Sequence, residues 1–351
     1  MKIRQRYLGP DGPEADLYWM RRAVGDAERA LGATSPNPPV GAILVKDRQL
    51  LGQGHHTRAG APHAEVEAFR SLEDPDKAAG STLYVTLEPC STQGRTPACT
   101  NAILKHRLKR VVFGSVDPNP EHAGRAITLL EEAGVEVTSG ILQKESDALI
   151  RIFRHWILHR RPYIIAKAGL SLDGCLTRPP GESSWLTSKD ARWDAQRLRV
   201  LVDAMVVGAE TIRQDNPKLT VRHPWTPSHK RALKRFVLTR SGALPEDARI
   251  FTDAHADETR IIRDATWPHW LDQAADEGVT SMLVEGGGVT LTEALKAQSV
   301  QEIHLYLAPL VSGSGIRLIR ESLGESVSLT NVRYSMIGDN VKVSATLNYH
   351  D

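Results

Sequence analysis

The sequence predicts an α/β protein built of two domains. Three observations carry this. Runs of strand formers alternate with segments of helical periodicity along the whole 351 residues. His159-Arg160-Arg161-Pro162 interrupts that alternation, because the residue before a proline is pushed out of helical geometry. No internal repeat relates the two sides, so the break near residue 160 separates two different domains, 1–160 and 161–351.

The elements follow in order. Residues 1–14, with Gly9, Pro10, Gly12 and Pro13, read as a loose extension. Leu17, Met20, Val24, Ala27 and Leu31 recur at helical spacing and stop at Gly32. Gly41–Lys46 and Gln49–Gly54 read as strands joined at Asp47-Arg48. A helix is expected over Ala64–Ser71, a strand over Thr82–Thr86 and a helix from Cys99 to His106. Then come a strand at Arg110–Gly114, a helix at Arg125–Ala133 stopped by Gly134, and a strand at Val135–Thr138. A polar helix over Lys144–His159 closes the first half.

The second half opens with a strand, Tyr163–Ala168. Thr187-Ser188-Lys189-Asp190 resembles a capping box for a helix reaching Leu201. Ala204–Gly208 is a strand, and Pro224–Lys234 a polar loop. Strands are expected at Arg235–Leu238, Ser281–Val284 and Gln301–Leu307, and helices at Trp267–Asp276 and Thr290–Gln298. Val341–Tyr349 alternates like a strand.

Composition narrows the function classes. Apolar residues are 41% and charged residues 25%, as in ordinary globular chains. Lys and Arg number 21 against 19 Asp and Glu up to residue 160, and 23 of each beyond it. Neither half is basic enough for a duplex-binding surface, so no nucleic-acid partner is expected. No stretch reaches the roughly 20 apolar residues of a membrane span. Met1–Arg6 has no apolar run behind its charges, so no secretory signal is expected and the expected location is the cytoplasm. Three cysteines, Cys90, Cys99 and Cys175, are too few for a disulfide scaffold. A homo-oligomer stays open.

Two of those cysteines stand with a histidine in a chemically pointed pattern: Pro62-His63-Ala64-Glu65, then Pro89-Cys90, then Cys99. One imidazole and two thiolates make three zinc ligands and leave a tetrahedral position open, the arrangement of a catalytic site. Zinc makes its bound water acidic enough to ionise near neutral pH. Glu65, a non-ligand carboxylate, can then move protons, as in zinc deaminases of nucleobases. The spacing Cys90-x8-Cys99 departs from their C-x-x-C, so the intervening loop must fold back. His63 and Glu65 at i and i+2 converge only if His63 sits at an irregular helix start. A four-ligand structural site is the alternative, with His55 and His56 as candidates for the fourth ligand.

Further motifs surround this set. Thr34-Ser35-Pro36-Asn37-Pro38-Pro39-Val40-Gly41, Gly54-His55-His56, Gly60 and Tyr84-Val85-Thr86-Leu87-Glu88-Pro89-Cys90 occur with it. Gly94-Arg95-Thr96-Pro97-Ala98-Cys99 and Asp117-Pro118-Asn119-Pro120 complete the first half. The second carries Lys167-Ala168-Gly169-Leu170-Ser171-Leu172-Asp173-Gly174 and Ser183-Ser184-Trp185-Leu186-Thr187. Gly208-Ala209-Glu210-Thr211, Asp215-Asn216-Pro217 and Glu285-Gly286-Gly287-Gly288 follow. Over residues 16–320 the chain resembles the bifunctional riboflavin-biosynthesis deaminase/reductase family. Ala98, where a second proline is common, Thr92, where a histidine is expected, and Thr239-Arg240-Ser241, without the usual Asp, depart from the family pattern.

The resemblance implies a cytidine-deaminase-like three-layer α/β/α domain followed by a dihydrofolate-reductase-like α/β domain. It implies zinc on His63, Cys90 and Cys99, Glu65 as proton carrier, and deamination of a diaminopyrimidinone bearing a ribosylamino 5′-phosphate. Asn37 would stand against the pyrimidine edge, though Asn in a Pro-Asn-Pro turn serves structure equally well. The second half would bind NADPH through Gly169, Trp185, Thr211, Asp215, Gly287 and Gly288, and reduce the ribosyl group to ribityl. Its pyrimidine ribonucleotide would be held by Ser183, Arg199, Leu219, Arg222 and Glu285. Lys167, at the end of the first strand with Ser171, is the candidate for polarising the ribose. Cys175 reads as a small core residue. Glu285-Gly286-Gly287-Gly288, between strand and helix, can cradle a phosphate on backbone N–H groups or be a plain turn.

Overall fold

A computed structural model describes residues 8–93, 97–182 and 185–349. They divide into two compact units, one running to Arg160 and taking in Pro227–Lys230, the other comprising Arg161–Thr226 and the chain from Arg231 on.

The first unit begins with α1 (Ala15–Glu28), then the hairpin β1 (Gly41–Lys46) and β2 (Gln49–His55). Asp47 and Arg48 both take positive φ, the mirror-image turn whose twist suits a two-residue hairpin. The remaining elements are α2 (Ala64–Arg70), β3 (Thr82–Leu87), α3 (Cys99–Lys105), β4 (Arg110–Ser115), α4 (Arg125–Glu132), β5 (Glu136–Ser139) and α5 (Gln143–His159). The sheet order is β2-β1-β3-β4-β5, with β3, β4 and β5 parallel and β1 antiparallel to both its neighbours.

Alternate residues of each strand face opposite layers. Ile43, Val45, Tyr84 and Val112 pack on Trp19, Met20 and Ala23 of α1. Ala42, Leu44, Leu83, Val85, Val111 and Phe113 pack with Ala64, Ala68, Phe69, Ile103 and Leu130 of α2, α3 and α4. The stripe on α1 differs from the expected one. Leu17 is 36% exposed, whereas Trp19 is 1% and Met20 0%. The buried face is Trp19, Met20, Ala23 and Ala27, which keeps Met20 and Ala27 of the expected stripe, and the alanines at 23 and 27 let the helix approach the sheet.

The second unit runs β6 (Tyr163–Leu170), α6 (Lys189–Leu201), β7 (Ala204–Gly208), α7 (Ala209–Asp215), β8 (Lys234–Thr239), α8 (Arg249–Thr252) and β9 (Thr259–Arg263). It continues with α9 (Trp267–Asp276), β10 (Ser281–Val284), α10 (Gly288–Lys296), β11 (Glu302–Leu307), β12 (Ser328–Ile337) and β13 (Asn340–Asn348). The eight strands order as β12-β13-β11-β6-β10-β7-β8-β9. β6 is parallel to both β10 and β11, and the β11-β13-β12 edge is antiparallel. α6 is capped by Ser188, whose side chain accepts from Ala191 N.

One face of this sheet is apolar: Ile164, Ala166, Ala168 and Val284 lie under Trp267, Trp270 and Leu271 of α9 and Leu291 and Leu295 of α10. The opposite register positions carry Lys167, Glu285, His304 and Tyr306. That opposite face is apolar where Ile165, Leu283 and Met205 are buried, and polar toward the C-terminal ends of β6 and β10, where Lys167 and Glu285 stand. No helix among the described residues is long and apolar enough to cross a membrane.

Candidate functional site

In the first unit, His63 is the residue before α2, with extended backbone (φ −70°, ψ 162°). That irregular start brings its ring and the Glu65 carboxyl to one place despite their i, i+2 spacing. Cys90 follows the C-terminal end of β3, and Cys99 opens α3. Thr100 N donates to Cys90 O and Cys99 N to Cys90 Sγ, both at 3.2 Å, so the start of α3 is folded back onto Cys90.

His63 Nδ1 lies 3.3 Å from Cys99 Sγ and 3.5 Å from Cys90 Sγ. All three donor atoms fall within 4.8 Å of one another. Tetrahedral zinc, with bonds of about 2.3 Å to sulfur and about 2.0 Å to nitrogen, holds those atoms about 3.5 Å apart. The donor set fits the metal in chemistry and in spacing. His56 is not a fourth ligand: its Nδ1 faces Pro62 O at 3.0 Å and its Nε2 faces Asn37 Nδ2 at 3.1 Å. Among the described residues the cluster has three members, His63, Cys90 and Cys99.

The electrostatics suit the same chemistry. A hydrogen bond from the Cys99 thiol and the nearby His63 lower the Cys90 thiol and favour its thiolate form. The Cys99 thiol is pushed up by the same bond and by burial. Its bond to Cys90 raises His63. Glu65 is 3% exposed, and burial together with the Cys90 thiolate pushes its carboxyl up to about 7. A carboxyl balanced near neutrality can both take and return a proton.

A second carboxylate stabilises the surroundings. Glu88, 4% exposed, accepts from Asp117 N at 3.1 Å, Gly124 N at 3.0 Å and Ala126 N at 3.1 Å. It thereby caps α4, which has no side-chain cap of its own, and pins the loop after β4 beside Cys90. Sequence reasoning gave Glu88 no role. Its one signal was a lone carboxylate ending the apolar run Thr82–Leu87.

In the second unit, Glu285 follows β10 and Lys167 lies on neighbouring β6, with 3.7 Å between Nζ and Oε1. Arg199 of α6 pairs with the other oxygen of Glu285 and donates to Thr220 O at 3.1 Å. Burial opposes ionisation of Glu285, but Lys167 and Arg199 outweigh it and hold the carboxyl down at about 2. Gly287 precedes α10 with extended backbone, no side chain caps that helix, and a Cβ at Gly287 would meet open space. A Cβ on Gly288 would come within 2.3 Å of Arg317 O, so the backbone passes there only as glycine. Uncapped N–H groups beside open space suit a phosphate.

Comparison with known proteins identifies both halves. Residues 13–115 match the cytidine and deoxycytidylate deaminase zinc-binding region, which takes in His63, Cys90 and Cys99, and residues 162–343 match the RibD C-terminal domain. The riboflavin biosynthesis protein RibD of Bacillus amyloliquefaciens is 36% identical over 362 residues, 93% of this chain and 95% of that one. The chain belongs to the RibD family. Two solved structures extend the likeness to the whole fold. Acinetobacter baumannii RibD superposes with a TM-score of 0.83 at 32% identity, covering 95% of this chain and 99% of that one. The diaminohydroxyphosphoribosylaminopyrimidine deaminase/5-amino-6-(5-phosphoribosylamino)uracil reductase of Thermotoga maritima gives 0.83 at 30% identity, with the same coverage.

As a RibD protein, this chain is a riboflavin-biosynthesis enzyme that joins a zinc-binding deaminase to a reductase. The first sheet is cytidine-deaminase-like, and the second is the dihydrofolate-reductase-like sheet of RibD. A RibD reductase domain implies a nucleotide cofactor.

The expected reductase residues fall in several places. Lys167, Arg199 and Glu285 form one cluster. Gly287 and Gly288 start α10. A Cβ at Gly169 would meet Thr187 at 2.9 Å. Trp185 is 60% exposed, with the Arg192 guanidinium 4.4 Å from its ring centroid. Thr211 and Asp215 lie on α7, Arg222 is exposed, and Leu219 is buried with φ 50°. Ser171 is spent on the turn, accepting from Cys175 N at 3.0 Å, and Cys175 is buried beside it. Ser183, Ser184 and Gly94, Arg95 and Thr96 lie outside the described residues.

Proposed function

We propose that the first half hydrolyses the exocyclic amine of 2,5-diamino-6-(5-phosphoribosylamino)pyrimidin-4-one. The second half then reduces the ribosyl group of the resulting 5-amino-6-(5-phosphoribosylamino)uracil to ribityl with NADPH. The observation that carries this is the convergence of His63, Cys90 and Cys99 with a buried carboxyl two residues away, in one chain with the Lys167–Glu285–Arg199 cluster.

In the deaminase half, His63, Cys90 and Cys99 would hold zinc, which would supply the Lewis acidity that lets water ionise near neutral pH. Glu65 takes one proton from the attacking water and passes it to the ring nitrogen; it then takes the second proton, from the hydroxyl now on the ring carbon, and passes it to the exocyclic amine, which leaves as ammonia as the carbonyl forms. Burial raises the Glu65 carboxyl, which favours its carrying a proton between these groups. Asn37 stands against the pyrimidine edge and orients the ring.

In the reductase half, bound NADPH would supply the hydride that the reduction of C1′ of the ribosyl group requires. The start of α10, with Gly287 and Gly288, would hold phosphate oxygens of the cofactor, and Gly169, Trp185, Thr211 and Asp215 would hold the rest of it. Arg199, Arg222, Glu285 and Leu219, together with Ser183, hold the nucleotide substrate. Lys167, steadied by Glu285, places its ammonium against the ribose oxygen and stabilises the charge that develops as C1′ is reduced.

The test is turnover of the diaminopyrimidinone nucleotide with and without NADPH, following ammonia and NADPH absorbance together. Ammonia release in both cases, with NADPH consumed only after it, supports the reading. Ammonia without NADPH consumption removes the reductase half of it.

A further inference from the structure

His56 lies just outside the metal cluster, in contact with it. It is 3% exposed and meets the His63 ring edge-on, with 5.6 Å between centroids. The backbone there is fixed: His56 N donates to Val40 O at 2.9 Å. A Cβ at Gly54 would fall 2.5 Å from Ala68 N, so α2 lies directly on the end of β2.

Both ring nitrogens are engaged, and their partners decide the tautomer. Nδ1 faces Pro62 O, which only accepts, so Nδ1 carries the proton. The Asn37 atom 3.1 Å from Nε2 is the amide nitrogen Nδ2, a donor, so Nε2 accepts. Flipping that amide would set its oxygen against the Nε2 lone pair. No described residue donates to Asn37 Oδ1.

We infer that His56 is a positioning residue for deamination: it holds the Asn37 amide so that Oδ1, an acceptor, is presented to an N–H or amino group on the pyrimidine edge. The inference rests on the placement of Asn37 against the pyrimidine proposed above. It adds a specificity rule. A heteroaromatic ring with a hydrogen-bond donor at that edge is accepted, and a ring with a bare acceptor there is rejected, because two acceptors would face each other. The bond to Pro62, the neighbour of His63, ties this orientation to the segment that bears a metal ligand.

The test uses the zinc-loaded full chain and ammonia release from the diaminopyrimidinone nucleotide. An asparagine at 56 can replace Nδ1 toward Pro62 but falls short of Asn37, whereas a glutamine reaches it with an acceptor. Losing one directed hydrogen bond is worth about tenfold. His56→Asn should therefore raise KM about tenfold with kcat within about threefold, the pattern of lost uniform binding. His56→Gln should stay within about threefold of the parent, and Asn37→Ala should match His56→Asn. The double variant should be no worse than Asn37→Ala, with zinc stoichiometric throughout. Equal KM for His56→Asn and His56→Gln overturns the inference, as does a loss that follows zinc content. A raised KM in Asn37→Ala with an unchanged one in His56→Asn overturns it while leaving the Asn37 placement standing. An unchanged KM in Asn37→Ala removes that placement and the inference with it.

Discussion

Glu285 Oε1 and Lys167 Nζ face each other at 3.7 Å across two adjacent parallel strands of the second sheet, toward their C-terminal ends. With Arg199 on its other oxygen, Glu285 is held at about 2, below its ordinary 4.5. A lowered folded-state value stabilises the fold fully above about pH 4.5, and that contribution fades as pH falls toward 2. Glu285→Gln should cost about 1–3 kcal/mol at neutral pH and flatten this acid limb. Urea unfolding at a series of pH values reads it. Five of the seven tryptophans, those from Trp185 onward, lie in the second half and report its unfolding. An acid limb identical to the parent's would contradict the account.

Lys167→Met keeps most of the aliphatic stem and removes the ammonium. Reductase turnover on the deaminated nucleotide should fall by about 10²-fold or more, as when a preorganised charge stabiliser is lost. Ammonia release should be unchanged. Full reductase turnover in this variant would show that Lys167 takes no part in the chemistry.

Glu65→Ala separates proton transfer from metal binding. Deamination should fall about 10²–10⁴-fold. Metal analysis should still find one zinc per chain, and NADPH consumption on the deaminated nucleotide should persist. If zinc leaves with the activity, Glu65 is a structural residue and not the proton carrier.

Cys99→Ser weakens the metal set at the start of α3. Stoichiometric zinc and deamination should both be lost, because a hydroxyl is a far poorer zinc ligand than a thiolate. Chelation of the parent should give the same split, with the reductase still active. Simultaneous loss of reductase turnover would mean that the metal supports the whole chain.

Glu88→Gln probes the cap on α4. Its carboxylate takes three backbone N–H groups, and an amide retains only part of that capacity. A loss of about 1–3 kcal/mol is expected, seen as a lower melting temperature and faster amide exchange at Asp117, Gly124 and Ala126. Unchanged exchange at those amides would show that the loop is held by something else.

The metal set could be read from the chain because zinc chemistry restricts residue type and the three ligands sit within short, distinctive motifs. The central strands were legible for a similar reason: Tyr163–Leu170 and Ser281–Val284 are buried on both faces and read as apolar runs. β9 and β12 were not anticipated. They are the two edges of the second sheet, and every residue of β12 from Ser328 to Met336 is exposed. Such strands are held by backbone pairing, which leaves no hydropathy pattern. The roles of Glu88 and His56 were hidden differently. Glu88 finds its partners 29 to 38 positions away, and His56 meets Asn37 across 19. Only the folded chain sets those pairs side by side.

The place of β6 in the middle of its sheet has a consequence for biosynthesis. Both its neighbours, β10 and β11, come from Ser281–Leu307, more than a hundred residues further along the chain. A ribosome delivers the five strands of the first sheet in one uninterrupted stretch, whereas the centrepiece of the second waits, apolar and unpaired, until most of the chain has been made. That waiting interval is when the nascent protein is most exposed to aggregation, and when a chaperone would have most to cover.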